Sequence, residues 1–210
     1  MICQNILSKL RKNVAKNNTF KYNTNIKFTS IGECKIMKTV AIVGSPRKDG
    51  NCDILVNKVL EKIDGEKSIY YLNELDIGFC KACQACQKGD CVKDDDARKI
   101  IDEMLEADLF IFSSPIYYGQ MSGQAKTLID RFYQVSQNPN KSLEGTKVIE
   151  IFTQAQPSDA FAAYIDSMKV IPFGYMGMEI IDTIVAKGAA GKGDGLEEAI
   201  AQIEKIGDKL

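Results

Sequence analysis

The 210-residue chain contains no histidine. That absence removes Ser-His-Asp and Cys-His nucleophile pairs, histidine-liganded zinc and imidazole acid-base catalysis. Charge of either sign is not in excess: 27 Lys plus Arg stand against 28 Asp plus Glu, which gives no argument for nucleic acid or an anionic membrane as the main partner. No apolar run approaches the length of a membrane span. The N-terminal stretch lacks the apolar h-region of a secretory signal, so a disulfide framework is not expected and a cytoplasmic location is. What remains for chemistry is carboxylates, cysteines, tyrosines or a bound cofactor.

At 45% hydrophobic composition the chain can bury one sizeable core. Its charge is unevenly spread. Seven basic side chains (Lys9, Arg11, Lys12, Lys16, Lys21, Lys27 and Lys35) and one acid, Glu33, fall in residues 1–36, so the remainder carries about minus seven. Rich in Asn, Lys and Ile, this stretch reads as a disordered leader, or as a mis-annotated one that is not normally translated, with the start at "MKTVAIVGSPR". Cys3 and Cys34 fall inside it and are given no role.

From Met37 onward short branched or aromatic runs alternate with amphipathic ones. Residues 39–44, 68–72, 108–114, 147–153 and 178–186 read as strands; 51–63, 95–107, 122–135, 157–171 and 195–210 show apolar residues at three-and-four spacing and read as helices. Five strands interleaved with five helices predict an α/β domain over 37–210, a parallel sheet with right-handed crossovers and helices on both faces.

In such sheets ligands bind beyond the carboxyl ends of the strands, where strand order reverses. The loop after the first strand, "GSPRKDGNCD" (44–53), offers Ser45, Arg47 and Asn51 just before a helix N-terminus, a setting suited to phosphate. The loop after the third, "SSPIYYGQMSGQAKTLIDR" (113–131), offers Ile116, Tyr117 and Tyr118 between Pro115 and Gly119, flat apolar surface beside free backbone amides. Each alone is an ordinary turn. Together they favour a nucleotide-like ligand.

"GSPRKDGN" followed by "SPIYYGQMSGQAKTLIDR" resembles the NADPH-dependent FMN reductase family of flavodoxin-like proteins, over residues 37–210. The resemblance implies a doubly wound five-stranded sheet in order 2-1-3-4-5 and non-covalent FMN, with NAD(P)H as co-substrate. It places the FMN phosphate on Ser45, Arg47, Asn51 and Cys52, the ring near Pro115, Ile116, Tyr117, Tyr118 and Gly119, and the ring's far edge near Thr153 and Gln154. Cys52 stands where the family more often has Ser or Thr, and "TQAQPS" lacks the glycines common at that loop. The resemblance further implies a homodimer or homotetramer.

Four of the seven cysteines crowd into "CKACQACQKGDC" (80–91), within a cysteine-rich insertion at 79–94 between the second strand and second helix. Cys80, Cys83, Cys86 and Cys91 follow C-x2-C-x2-C-x4-C, a run whose thiols can converge on one compact inorganic object. That spacing suits iron-sulfur ligation better than structural zinc, whose ligands usually come as two separated pairs. It is similar to the iron-sulfur flavoproteins of anaerobes, in which a 4Fe-4S cluster lies near FMN. Empty or redox-active thiols, and zinc, stay open beside the cluster.

No residue beyond the flavin need be catalytic; amides near Tyr118 and Gly119 are placed to meet charge on a reduced ring. Two function classes follow. One is an FMN-dependent NAD(P)H oxidoreductase reducing a small acceptor of flavin, quinone or nitroaromatic type. The other is an iron-sulfur flavoprotein electron carrier exchanging electrons with ferredoxin; a weaker third is an FMN-binding redox sensor. Two further segments have bland readings. Asp94, Asp95 and Asp96 are an N-cap and acidic first turn rather than a metal site. "KGAAGKGD" (187–194) lacks phosphate-loop spacing and reads as a flexible connection lining the site or an oligomer contact.

Overall fold

The computed structural model describes residues 36–210. The leader, with Cys3 and Cys34, lies outside the described residues apart from Ile36. Strands β1 (Lys38–Val43), β2 (Glu66–Tyr71), β3 (Leu109–Tyr117), β5 (Lys147–Gln154) and β6 (Glu179–Lys187) pair in parallel in the order β2-β1-β3-β5-β6. A two-residue strand β4 (Gln120–Met121) turns back antiparallel on β3. Leaving out that short strand, the order is the expected 2-1-3-4-5 of a flavodoxin-like fold.

The strands are buried on both faces, as parallel strands under crossover helices must be. On one face Val40, Ile42, Phe110, Phe112, Val148 and Phe152 pack with residues of α2 (Asp96–Met104), α3 (Gly123–Arg131) and α5 (Ala162–Met168). Between them on each strand, Ala41, Val43, Leu109, Ile111, Ile149 and Ile151 point the other way, toward α1 (Asn51–Glu61) and α6 (Glu197–Ile203). Phe173 seals the first face, its ring centroid 5.2 Å from Phe112 and 6.1 Å from Phe110 in edge-on geometry.

Two expected helices depart from the sequence pattern. The helix expected over 157–171 begins only at Ala162, because the Gln154 side chain holds the carbonyls of Gln156 and Ser158 in a loop (2.9 and 2.6 Å). It stops at Met168 in favour of an irregular turn in which Ile171, forced out of helical geometry by the following Pro172, is extended (φ −135°, ψ 123°). The helix expected over 122–135 is interrupted at Phe132 and resumes as α4 (Tyr133–Ser136). No helix among the described residues is long and apolar enough to cross a membrane.

Candidate functional site

The turns after β1 and β3 meet in one hydrogen-bonded junction. Ser122 caps α3: its hydroxyl accepts from the Ala125 N–H (3.2 Å) and donates to the Gly44 carbonyl, while its own N–H donates to Ser114 Oγ (3.0 Å). The Gly44 N–H donates to the Ser113 carbonyl at 2.8 Å. Here the backbones approach so closely that a Cβ on Gly44 would lie 2.7 Å from Ser113 O and 2.9 Å from Ala125 Cβ. Gly44→Ala is therefore expected to destabilise the fold by about 2 kcal/mol, read from the denaturation midpoint, by prising these turns apart.

Beyond Gly44, Ser45 is buried and its hydroxyl accepts from the Arg47 N–H at 3.1 Å, curling the loop toward α1. The Arg47 side chain is exposed and, among the described residues, its guanidinium has no partner. The first intrahelical bond of α1 runs from Ile54 N–H to Gly50 O, so the amides of Asn51, Cys52 and Asp53 precede the helical ladder. Asp53, the acid in that turn, is satisfied by the Asp49 N–H, the Asn57 amide and the Tyr71 hydroxyl at 2.6 to 3.0 Å.

Asn51 stands at the cradle, but its side chain is spent elsewhere. Its amide nitrogen donates to the carbonyls of Gly191 (2.8 Å) and Ala189 (3.4 Å), and its oxygen accepts from the Gly193 N–H (2.7 Å). Cys52 is likewise turned inward. Its thiol lies 3.4 Å from Thr153 Oγ1, and burial pushes its pKa up against the pull of hydrogen bonds from Ser113 and Thr153. Cys52 and Thr153 are thus brought together beneath the loops, whereas Gln154, also buried, organises the loop that follows it.

The third-strand loop is more ordered than its composition suggests. Pro115 and Ile116 continue β3, and Tyr118 with Gly119 forms a two-residue turn to β4 in which both φ angles are positive (49° and 81°). Such turns normally carry Asn-Gly. A bulky tyrosine there is held in an unfavoured conformation and is fully exposed, with Tyr117 at 40% beside it.

The cysteine loop is fixed by a different set of residues. Arg131, at the last turn of α3 and fully buried, donates to the Gly78 carbonyl (2.9 Å), to Asp95 Oδ2 (2.6 Å) and to Cys91 Sγ (3.4 Å). Arg98 donates to the Cys91 carbonyl (2.6 Å), Asn138 to the Gly89 carbonyl (2.8 Å) and Gln87 to the Tyr133 hydroxyl (3.0 Å). Asp95 does occupy the N-cap position of α2, yet its side chain makes no capping bond there; it serves Arg131 and the Gly78 N–H instead. All four thiols are free, Cys86 buried and Cys80 and Cys83 exposed. Burial pushes the Cys86 thiol up, and the neighbouring charges of Cys91, Cys80 and Cys83 push it further.

Among the described residues no hydrogen bond or ion pair joins the cysteine loop to the turns after β1, β3 or β5. The link is α3, which holds the β1 and β3 turns through Ser122 at its start and the cysteine loop through Arg131 nine residues later, about 13 Å along the axis.

The sequence profile of the family described as NADPH-dependent FMN reductase matches residues 37–192. The chain belongs to that family. One similar protein, an iron-sulfur flavoprotein of Archaeoglobus fulgidus, is 30% identical over 176 residues, covering 79% of this chain and 80% of its own. A second iron-sulfur flavoprotein of the same organism is 40% identical over 97 residues; that match covers 45% of this chain and about half (48%) of the relative. An azoreductase of Bacillus anthracis shares the fold, with a TM-score of 0.61, 17% identity, and coverage of 83% of this chain and 100% of its own.

An FMN-binding family implies a phosphate cradle and a place for the ring, and the residues fit. Free helix-start amides, an unpartnered Arg47 and an acid whose oxygens are already taken by three donors make the β1 turn a setting for an anion. The cysteines fit a cluster by donor chemistry: four free thiols in twelve residues, with the Arg131 cation against Cys91. Among the described residues no three cysteine or carboxylate groups close on a single metal ion. A cuboidal cluster does not ask that of them, because each thiolate serves its own iron corner. Arg131 and Ser122 were not singled out from the sequence. The signal for Arg131 was present: it follows Leu128 and Ala125 at helical spacing, so a cation stands on an apolar face and calls for a buried partner.

Proposed function

We propose that the protein is an iron-sulfur flavoprotein: an FMN-dependent oxidoreductase that exchanges single electrons through a 4Fe-4S cluster on Cys80, Cys83, Cys86 and Cys91. The observation that carries this reading is the Arg131 anchor. A buried guanidinium pins both ends of the loop of four free thiols, through the Gly78 carbonyl and Asp95, and places a cation 3.4 Å from the Cys91 sulfur. The similar iron-sulfur flavoproteins support it.

When bound, FMN supplies conversion between one- and two-electron transfer, and a cluster supplies single electrons. The chain's residues position and tune. Arg47, Ser45 and the α1 amides hold the phosphate end; Ser122 keeps the β1 and β3 turns in register; amides at Tyr118 and Gly119 meet negative charge on the ring. Arg131 offsets the negative charge that four thiolates would accumulate.

A second reading, an NAD(P)H-dependent FMN oxidoreductase reducing a flavin, quinone or nitroaromatic acceptor, is favoured by the open Tyr117–Tyr118 hairpin, which leaves a planar molecule free access. One preparation tests both. Protein purified without oxygen is expected to carry about four irons and as many acid-labile sulfides per FMN. Its flavin should bleach rapidly with a ferredoxin-type donor. Iron near zero would remove the cluster, and rapid bleaching by NADPH or NADH in its absence would establish the second reading. Ferredoxin, an acceptor and a homo-oligomeric assembly belong to the proposal on the same footing.

A further inference from the structure

The glycine-rich segment after β6 does not belong to any element of the fold, yet it makes three hydrogen bonds to one side chain at the start of α1. Asn51 accepts from the Gly193 N–H and donates to the carbonyls of Gly191 and Ala189, so it grips the segment at three points within five residues. From the other side the segment is stitched to the β5 loop, by Gly188 N–H to Gln156 O (3.1 Å), Ala189 N–H to Gln154 O (2.8 Å) and the Lys187–Asp159 ion pair (2.6 Å). At Gly195 (φ 63°) a Cβ would lie 2.0 Å from Lys187 O, so the chain re-enters α6 only through glycine.

We infer that this segment, residues 188–194, is a wall of the FMN phosphate cradle, that Asn51 is the positioning residue that holds it there, and that Lys192 is its cationic contribution to phosphate recognition. The inference rests on reading the turn after β1 as that cradle. The charge balance supports it. Asp194, the segment's acid, accepts from the Gly191 N–H (2.9 Å) and is turned back into its own loop. Lys192 sits exposed between the two glycines that Asn51 holds, and among the described residues its ammonium has no partner. Lys48, by contrast, is drawn off to Glu74 (3.1 Å), and Asp49 is the one acid exposed on the cradle turn itself. Arg47 on the β1 turn and Lys192 on the segment held by Asn51 are then the uncommitted cations of the two chain segments that meet at the start of α1. The β1 turn supplies one such cation to a dianionic phosphate, and a second adds a charge-assisted contact to those of the helix-start amides.

The test compares FMN with riboflavin, which differ only in the phosphate. Flavin-loaded full-length protein is diluted, the released flavin is followed by fluorescence, and the series is repeated with riboflavin. Wild type is expected to hold FMN more tightly than riboflavin. Lys192→Ala is expected to weaken FMN about tenfold and to leave riboflavin unchanged, with a shallower dependence on salt. Lys192→Arg should restore FMN binding. Asn51→Ala should show the same phosphate-selective loss, and the double variant should lose less than the sum, because the lysine acts through the segment that Asn51 holds. Lys192→Ala that binds FMN as wild type does, or that loses both flavins equally, overturns the inference while leaving the cradle intact. A wild type with no preference for FMN over riboflavin overturns the cradle and the inference together.

Discussion

Arg131→Met is expected to cost about 3–5 kcal/mol of folding stability, the penalty for breaking a buried ion pair from one side. The guanidinium side chain is 1% exposed and its partner Asp95 10%, so neither can turn to water. With Arg131 gone, the Asp95 carboxylate keeps the Gly78 N–H at 3.1 Å on one oxygen, while its other oxygen has no partner. The measurement is the denaturant midpoint. Arg131→Met combined with Asp95→Leu should recover much of the loss, because it removes the stranded charge as well as the pair. The pH dependence gives an independent check. Burial works against the Asp95 charge, but Arg131, the Gly78 N–H and Lys93 outweigh it and hold its pKa below the ordinary carboxylate value. A depressed carboxylate contributes stability above its unfolded pKa and loses it as pH falls through the folded one. In Arg131→Met the dominant influence left is burial, so the sign reverses and the variant becomes relatively more stable toward acid. Exchange of the amides from 78 to 93 should accelerate in step, since Arg131 is the residue that joins Gly78, Cys91 and α2. Equal stability of wild type and Arg131→Met would mean that this pair does not hold the cysteine loop.

The parallel sheet was legible because its cause is local and repeated. Runs such as "TVAIV" and "LFIFSS" are buried on both faces and leave no other way to pack, and the strand order followed from the family resemblance. The site was legible only as a pair of loops. "SPIYYG" reads as an irregular loop because Pro115 and Gly119 are turn formers, whereas β3 runs on to Tyr117 and pairs with β4, a register set by Ser122 and Ser114 that no short-range pattern encodes. Asn51 reads as a phosphate ligand by position; its bonds reach some 140 residues away to Gly191 and Gly193, a separation over which propensity carries no information. The same holds for "KGAAGKGD", whose glycines suggest a flexible connection until Asn51 is seen to hold it. Asp95 and Asp96 do stand at the N-cap and first turn of α2, but the carboxylate partner is chosen by tertiary contact, with Arg131 taking Asp95 away from the cap.

Glu150→Gln is expected to flatten the pH dependence of stability and to make the protein up to about 3 kcal/mol more stable above pH 7. Glu150 lies in the middle of β5, fully buried, flanked in the sheet by Phe112 and Thr183. The Thr183 hydroxyl donates to Oε2 at 2.8 Å, and Oε1 has no partner. Burial is the largest influence and raises the pKa from the ordinary 4.5 to about 7; the Thr183 hydrogen bond and Lys169 pull the other way, and Asp166 adds to the rise. A carboxyl whose folded pKa lies above its unfolded one favours the folded state most when protonated. Its contribution is therefore full at pH 4, declines as pH rises toward about 7, and is flat beyond. Gln at 150 cannot ionise, so that decline should vanish while stability at pH 4 stays close to wild type, as followed by denaturant midpoints across this range. Lys169 supplies a compensating cation, though it is already paired with Asp166 at 2.8 Å. Lys169→Met should then steepen the wild-type decline, and have no such effect in the Glu150→Gln background. Parallel curves for wild type and Glu150→Gln would show that another group titrates in this window and that Glu150 is satisfied in its charged form.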